Sequence, residues 1–381
     1  MADPEKSGGG GGAGEGRRGK GDYFAWLTTA VAVLLSTYLV WNILTPAGGE
    51  GPEVEMPEAP AAGCTRLGIA GPAAWEKMSE EEFRRMLEEQ VTLGATWIRV
   101  SASWHAMERI QGELYWDALD MRIEAIADAG LRPLLLIHTL PTWVEGFGTL
   151  GSGAAQQYGD FAGAVAQRYG EHIEAYEIWN EPNIERFWPD PSPAAYAEML
   201  VDAAPKIRAA DPSATLVAGG VAPAINVAGE SYSAYTFLEE LHELGAMQQV
   251  DAIAVHPYSY PERPSGMSRW NTFHQLASFK KMMRRYGDPK PIWLTEFGAP
   301  TAGQGGVGEQ EQAAMIAEAL HLSWPDPMLG PLFIYTMYDL DFGAEDRESH
   351  FGIMYGPGDP KAAFTQLREA AEQCHEDLGE R

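Results

Sequence analysis

The stretch YEIWNEPN, residues 176–183, starts as the apolar run of a buried strand and then places Asn180, Glu181 and Pro182 off its end. Proline cannot donate to a sheet ladder, and a carboxylate directly behind a tryptophan is costly to bury unless something uses or pairs it. The strand therefore has to stop near Glu181, with that carboxylate at its carboxyl end. The same layout recurs seven more times: LGIAG (67–71), TWIRVSASW (96–104), RPLLLIHTL (132–140), TLVAGGVAP (215–223), VDAIAVHPY (250–258), PIWLTEFGA (291–299) and PLFIYTMYDL (331–340), with IEAYEIWNE (173–181) as the fourth in order. Amphipathic segments separate these runs. SEEEFRRMLEEQVTLGA opens on Ser79 and closes near Gly94 as a capped helix does, and KAAFTQLREAAEQC is the last of the series. Eight strands alternating with eight helices predict an α/β fold, a parallel (β/α)8 TIM barrel. A doubly wound open sheet usually has fewer strands and a glycine-rich nucleotide loop after the first, which LGIAGPAAW does not offer.

Ahead of the barrel the composition changes twice. Residues 1–22 are glycine-rich and polar and cannot bury enough apolar surface to order, so a disordered cytoplasmic tail is expected there. From Tyr23 to Leu44 there is no charged residue, and at about 1.5 Å per residue the 22-residue run reaches roughly 33 Å, a bilayer core. Arg17, Arg18 and Lys20 precede it, whereas Glu50, Glu53, Glu55 and Glu58 follow it. The positive-inside rule then places the N-terminus in the cytoplasm and the rest of the chain outside. The apolar core is longer than that of a cleaved signal peptide, and TPAGG (45–49) is a poor cleavage site. AAGC (61–64) has the form of a lipoprotein box, but a spacer at 45–63 rich in Pro, Gly and Glu separates it from the apolar run. That spacer reads as an extended tether. The two cysteines, Cys64 and Cys374, fall at opposite ends of the predicted barrel, and in an exported domain such a pair suits a disulfide joining those ends.

With 54 acidic against 27 basic residues the chain carries a formal charge of −27, which argues against nucleic acid or an anionic membrane surface as the main partner. In a barrel, chemistry sits where strands end. Arg99 belongs to the second strand, His138 to the third, Asn180 and Glu181 to the fourth, His256 and Tyr258 to the sixth, Glu296 to the seventh, and Tyr335, Tyr338 and Asp339 to the eighth. Trp104, Trp143 and Trp188 fall in strand-to-helix loops, where a tryptophan either stacks on a sugar or packs as loop core. Glu181 before Pro182 would, alone, fit a helix-start device. Joined by Glu296 across the barrel it fits a pair of carboxylates for glycosidic cleavage, one donating a proton and one attacking the anomeric carbon. Flat aromatic faces suit the C–H faces of sugar rings, and the Arg, Asn, His and Tyr groups suit hydroxyls. Glu177, inside the strand, reads as a paired structural carboxylate. GQGGVG (303–308) matches a dinucleotide fingerprint in form only, since it begins well past its strand and follows Glu296; an active-site loop is expected instead. The nine histidines include no zinc-binding spacing, so neither a catalytic metal nor a cofactor is expected.

YEIWNEPNIERFW and WLTEFG, with Arg99 and VHPY (255–258), resemble clan A of the glycoside hydrolases, and the form E-x-W-N-E-P-N is most similar to family 39, with its β-xylosidases, α-iduronidases and exopolysaccharide hydrolases. The resemblance spans about residues 65–370. It implies that Glu181 is the general acid/base and Glu296 the nucleophile of a retaining β-glycosidase acting on an oligo- or polysaccharide. It further implies that Asn180 binds the hydroxyl beside the anomeric carbon, that Arg99 and Tyr258 hold Glu296 ionised, that His138 and His256 line the first subsite, and that Tyr338 floors it. A transglycosylase of the same fold and a catalytically silent, tethered glycan-binding module are the alternative readings.

Overall fold

The computed structural model describes residues 64–149 and 151–377. Eight parallel strands close into a barrel in chain order: β1 (Leu67–Ala70), β2 (Trp97–Ser103), β3 (Arg132–His138), β4 (Ala175–Ile178), β5 (Thr215–Val221), β6 (Ala252–Val255), β7 (Ile292–Phe297) and β8 (Leu329–Tyr335). Closure runs through β1 and β8, with Leu67 opposite Leu332 and Ala70 opposite Tyr335. The helices that cover it are α1 (Glu80–Leu93), α2 (Asp117–Asp128), α3 (Ala154–Tyr169), α4 (Pro193–Ala210), α5 (Ala234–Glu243), α6 (Thr272–Arg285), α7 (Glu309–Ser323) and α8 (Ala362–Asp377). Their limits follow from local chemistry. Ser79 and Glu82 form a reciprocal capping box at the start of α1, and Gly94, at φ 89°, ends it in a left-handed turn that a side chain would strain.

Two apolar layers result. The larger lies between sheet and helices; the smaller fills the bottom of the barrel, where Trp97 meets Trp293 and Phe333 edge-on at centroid distances of 5.2 and 6.2 Å. Around these three rings the inward positions are small, including Ala70, Ala175, Ala252 and Ala254. Bulk at the floor pushes polar side chains into the layer above, toward the carboxyl ends of the strands.

Two register shifts shape that upper layer. Ala218 to Val221 of β5 spans what Ile253 to Val255 spans on β6, and Leu294 to Phe297 of β7 spans what Leu332 to Ile334 spans on β8. Such bulges re-aim side chains at barrel rims. Two buried tyrosines tie the helices to strand ends. Tyr158 donates to the Ile137 carbonyl at 2.8 Å, while the Tyr196 hydroxyl donates to the Ile178 carbonyl and accepts from the Gly219 N–H, both at 2.6 Å.

Some expectations shift. The eighth strand ends at Tyr335, not 340, and the fourth at Ile178, three residues before Glu181, because the chain turns out of the sheet there. Cys374, in α8, is disulfide-bonded, and Cys64 is the one other cysteine in the sequence. The expected anchor at 23–44, the tail at 1–22 and the tether at 45–63 lie outside the described residues. Among the described residues no helix is long and apolar enough to cross a membrane.

Replacing Tyr196 by Phe keeps the packing but strands a buried N–H and a buried carbonyl at the point where β4 meets β5. We expect a loss of about 1–3 kcal/mol per unsatisfied group, read as a lower urea midpoint with an unchanged slope.

Candidate active site

β4 leaves the sheet through strained backbone. Trp179 (φ 72°) and Glu181 (φ 46°) both adopt the left-handed region that ordinary residues avoid. The conformation is held from both sides. The Glu181 N–H donates to the Gly220 carbonyl at 2.9 Å, and Asn183 pins the following loop through the Ala222 and Tyr232 carbonyls, each at 2.9 Å, and the Ala222 N–H at 2.8 Å. Asn180 and Glu181 are thereby turned toward a cavity of about 630 Å³ at the carboxyl ends of the strands.

Below them sits Arg99, whose side chain is only 2 % exposed. Each arm of its guanidinium has its own acceptor: Nε meets Glu177 Oε2 at 2.5 Å, Nη1 meets Glu296 Oε1 at 2.7 Å, and Nη2 meets Asn180 Oδ1 at 2.8 Å. Glu177 is fully buried, and its other oxygen accepts from the Gly220 N–H and the Thr295 hydroxyl, both at 3.0 Å. The second oxygen of Glu296 accepts from the Tyr258 hydroxyl at 2.9 Å. His256 Nδ1 lies 2.8 Å from Glu181 Oε1 and 3.7 Å from Glu296 Oε2. Ligand atoms of Glu181, His256 and Glu296 all fall within 4.8 Å of one another.

The glycines of β5 make room for this contact. A Cβ on Gly220 would come within 2.2 Å of the His256 ring, and one on Gly219 within 2.3 Å of the Trp179 carbonyl. Both are positions where another residue would push the site apart.

Electrostatics follow from the geometry. Burial works against the charged form of Glu296, but His256, Arg99 and the Tyr258 hydroxyl outweigh it and lower its pKa below the ordinary 4.5. For His256, burial favours the neutral ring, yet Glu296 and the hydrogen-bonded Glu181 overcome that and raise its pKa above 6.5. His138 goes the other way: burial, helped by Arg99, takes it down to about 3, leaving a neutral imidazole whose buried Nε2 has no protein partner and which lines the cavity. Burial and the Glu296 charge keep the Tyr258 phenol protonated and donating. Glu181, His256 and Glu296 lie close enough to share a cation, but Arg99 at 2.7 Å from Glu296 already supplies one, and a metal there would face it directly.

Of the residues singled out in the sequence, Arg99, His138, Asn180, Glu181, Tyr258 and Glu296 line the cavity, and His256 is buried directly behind the two carboxylates. Four do not line it. Trp104 is buried, stacked on Phe161 and tied to Glu108; Trp143 meets it edge-on and donates to the Glu108 carbonyl. Trp188 packs among Phe147, Trp179 and Tyr196. Tyr338 is buried with its hydroxyl on Glu89 of α1, because β8 ends at Tyr335, three residues before it. Tyr335 takes the cavity position instead, together with Tyr260, Trp270 and Phe342. Strict alternation from Phe333, an inward residue of β8, would have pointed to Tyr335. The other three stand on loops, where no period marks them.

A family model described as cellulase, glycosyl hydrolase family 5, matches residues 61–325, and the chain belongs to this family. Clan A of the glycoside hydrolases is thus its class. No sequence among the curated proteins matches it. Solved structures share the fold at low identity. A family 39 glycoside hydrolase from the gut symbiont Bacteroides cellulosilyticus WH2 is 19 % identical with a TM-score of 0.65, over 83 % of this chain and 65 % of that one. A monomeric β-xylosidase from Caulobacter crescentus CB15 is 18 % identical, TM-score 0.62, over 83 % and 69 %. The exo-β-1,4-mannosidase Op5Man5 from Opitutaceae bacterium strain TAV5 is 17 % identical, TM-score 0.60, over 87 % and 62 %. This chain therefore spans about two thirds of the length of these enzymes.

The shifts of Glu296 and His256 set a stability window. A lowered carboxylate pKa adds stability above the ordinary 4.5 that is lost as pH falls through the folded value; a raised histidine pKa adds stability below 6.5 that is lost as pH rises through the folded value. We expect thermal stability to peak between about pH 4.5 and 6.5, and His256→Asn to flatten the alkaline side of that profile; an unchanged alkaline side in the variant would show that His256 is not charged in the fold.

Proposed function

We propose that this chain is a retaining β-glycosidase of cell-surface or environmental polysaccharide. The observation that carries the reading is the close approach of Glu181 and Glu296, from the ends of opposite strands, with ligand atoms within 4.8 Å. A spacing that small leaves no room for water between attacking and leaving faces, and retaining enzymes keep their carboxyl groups about 5–5.5 Å apart.

In this mechanism Glu296, kept ionised by Arg99 and Tyr258, attacks the anomeric carbon. Glu181 gives its proton to the departing glycosidic oxygen as that bond breaks. The glycosyl ester so formed is neutral and the negative charge now rests on Glu181, which takes a proton from the incoming water as the water oxygen displaces Glu296 and restores both groups. His256, hydrogen-bonded to Glu181, holds that carboxyl in line. Asn180, fixed by Arg99, presents its amide N–H groups to the hydroxyl beside the anomeric carbon. His138, neutral and unpartnered at Nε2, offers a further hydrogen bond in the same subsite.

Reducing-end release from a panel of β-linked glycans should be abolished by Glu296→Ala. It should fall about 10²–10⁴-fold in Glu181→Ala, least for substrates with good leaving groups, and NMR of the first product should show the retained anomer. Undiminished release by Glu296→Ala would sink the proposal. Transfer to a second sugar instead of water would redirect it to a transglycosylase, and binding without turnover to a glycan-binding module.

We also read residues 23–44 as an uncleaved membrane anchor that leaves the barrel outside the cell. Lack of charge over that run, basic residues only on its N-terminal side and the disulfide at Cys374 support this placement. On this reading detergent, but not high salt, releases the intact chain from membranes, and peptides digested without reductant contain Cys64 joined to Cys374. Release by salt alone would exclude the anchor.

A further inference from the structure

The molecule is strongly acidic, yet the cavity mouth presents two arginines that the proposed hydrolysis does not use. Arg186 stands five residues beyond Glu181 on the loop after β4, and Arg347 on the loop after β8; both line the cavity and both are exposed. Elsewhere Arg84, Arg132, Arg168, Arg208, Arg263 and Arg285 each touch a carboxylate, whereas the exposed Arg85, Arg109, Arg269 and Arg284 have none within ion-pair distance among the described residues. Among the described residues Arg186 has no carboxylate within ion-pair distance, and Arg347 has only its neighbour Glu348, at 3.5 Å. Arg347 is also held in place from behind. Gly303, in a left-handed turn at φ 74°, lies so close that a Cβ would come within 2.9 Å of the Arg347 backbone.

These groups belong to one electrostatic neighbourhood with the carboxylates. Glu348, between them, feels Arg186, Arg347 and Glu296 together, and Tyr335 feels both Arg186 and Glu296. Two carboxylates, Asp346 and Glu348, also line the mouth. Burial raises the Glu348 pKa by more than the two arginines lower it, and Asp346 turns an oxygen to the Glu348 N–H at 3.0 Å. Trp270 and Phe342, both about half exposed, stand at the same mouth as flat apolar faces. A guanidinium beside an aromatic face binds a sugar that bears an anion: the fork takes the oxyanion, the ring takes the C–H face.

We infer that Arg186 and Arg347 form a subsite for an anionic sugar, so that the glycan this site takes carries a carboxylate or sulfate on a residue next to the bond cleaved. This rests on the glycosidase reading for the words "bond cleaved" but not for binding. A neutral glucan or mannan brings neither arginine an anion and gains nothing from their charge. The acidic outer surface repels such a polyanion in bulk, so the arginines select at the mouth rather than attract from afar.

The test uses the full-length protein in detergent and two matched series: uronate-bearing against neutral oligosaccharides of one linkage, and sulfated against unsulfated ones. Affinity is measured by calorimetry on Glu296→Gln, and kcat/KM on the unmodified chain. The anionic member of one series should bind at least tenfold more tightly than its neutral match, with the preference falling at least tenfold in Arg186→Ala or Arg347→Ala and weakening as salt rises. Which series shows it separates carboxylate from sulfate. An exposed control, Lys281→Ala, should keep the preference. Equal or tighter binding of the neutral members, or a preference unmoved by both arginine substitutions, overturns the inference. Loss of all turnover with the binding preference intact would overturn the glycosidase reading and leave the anionic subsite standing.

Discussion

A guanidinium cannot shed its charge inside a protein, so burying Arg99 obliges the barrel to bring it acceptors. It receives three from two strands: Glu177 on β4, Asn180 just past the end of β4 and Glu296 on β7. Glu177 is itself buried and has its remaining oxygen filled by Thr295 and the Gly220 N–H. Remove the arginine and two carboxylates are left facing each other in low dielectric. The ionised state proposed for Glu296, the orientation of Asn180 and the register of β4 against β5 and β7 thus depend on one side chain.

Close packing supplies what charge pairing alone does not. His256 reaches Glu181 only because Gly220 has no Cβ, and Glu181 leaves the sheet only because Gly219 lets the Trp179 carbonyl approach. The irregular pairing at these glycines, and the second one beside Thr295 and Glu296, place Glu296 within β7 and Glu181 on backbone pinned just past the end of β4. A site built this way holds its geometry without ligand. The positive φ values of Trp179 and Glu181 are strain that this packing sustains.

The loops above follow a different logic. Inside the barrel Arg99, Glu177, Glu296 and His256 each have a structural partner; at the mouth Trp270 and Phe342 stay half exposed, and Arg186 has no carboxylate within ion-pair distance among the described residues. Exposed at the mouth, these side chains are free to meet whatever the cavity binds. The family 39 and mannosidase structures share the barrel, and at 17–19 % identity that likeness shows the fold alone.

Sequence alone determined the barrel, because period and length distinguish buried strands from amphipathic helices, and the break at Asn180, Glu181 and Pro182 marks a strand end without reference to any neighbour. It also brought Glu181, Glu296, Arg99, His138, Tyr258 and His256 forward, since each is a polar group at the end of an apolar run. What it could not supply was direction. Trp104, Trp143 and Trp188 are as apolar in a loop core as on a sugar platform, and only packing against Phe161, Phe147 and each other decides between the two. Tyr338 lost the cavity to Tyr335 because three residues move a side chain to the other face of a strand end, and the point where β8 stops is set by its partners rather than by its own residues. The same limit hid Arg186 and Arg347: charges on loops carry no period, and only closure of the eight strands brings the loops after β4 and β8 to one mouth.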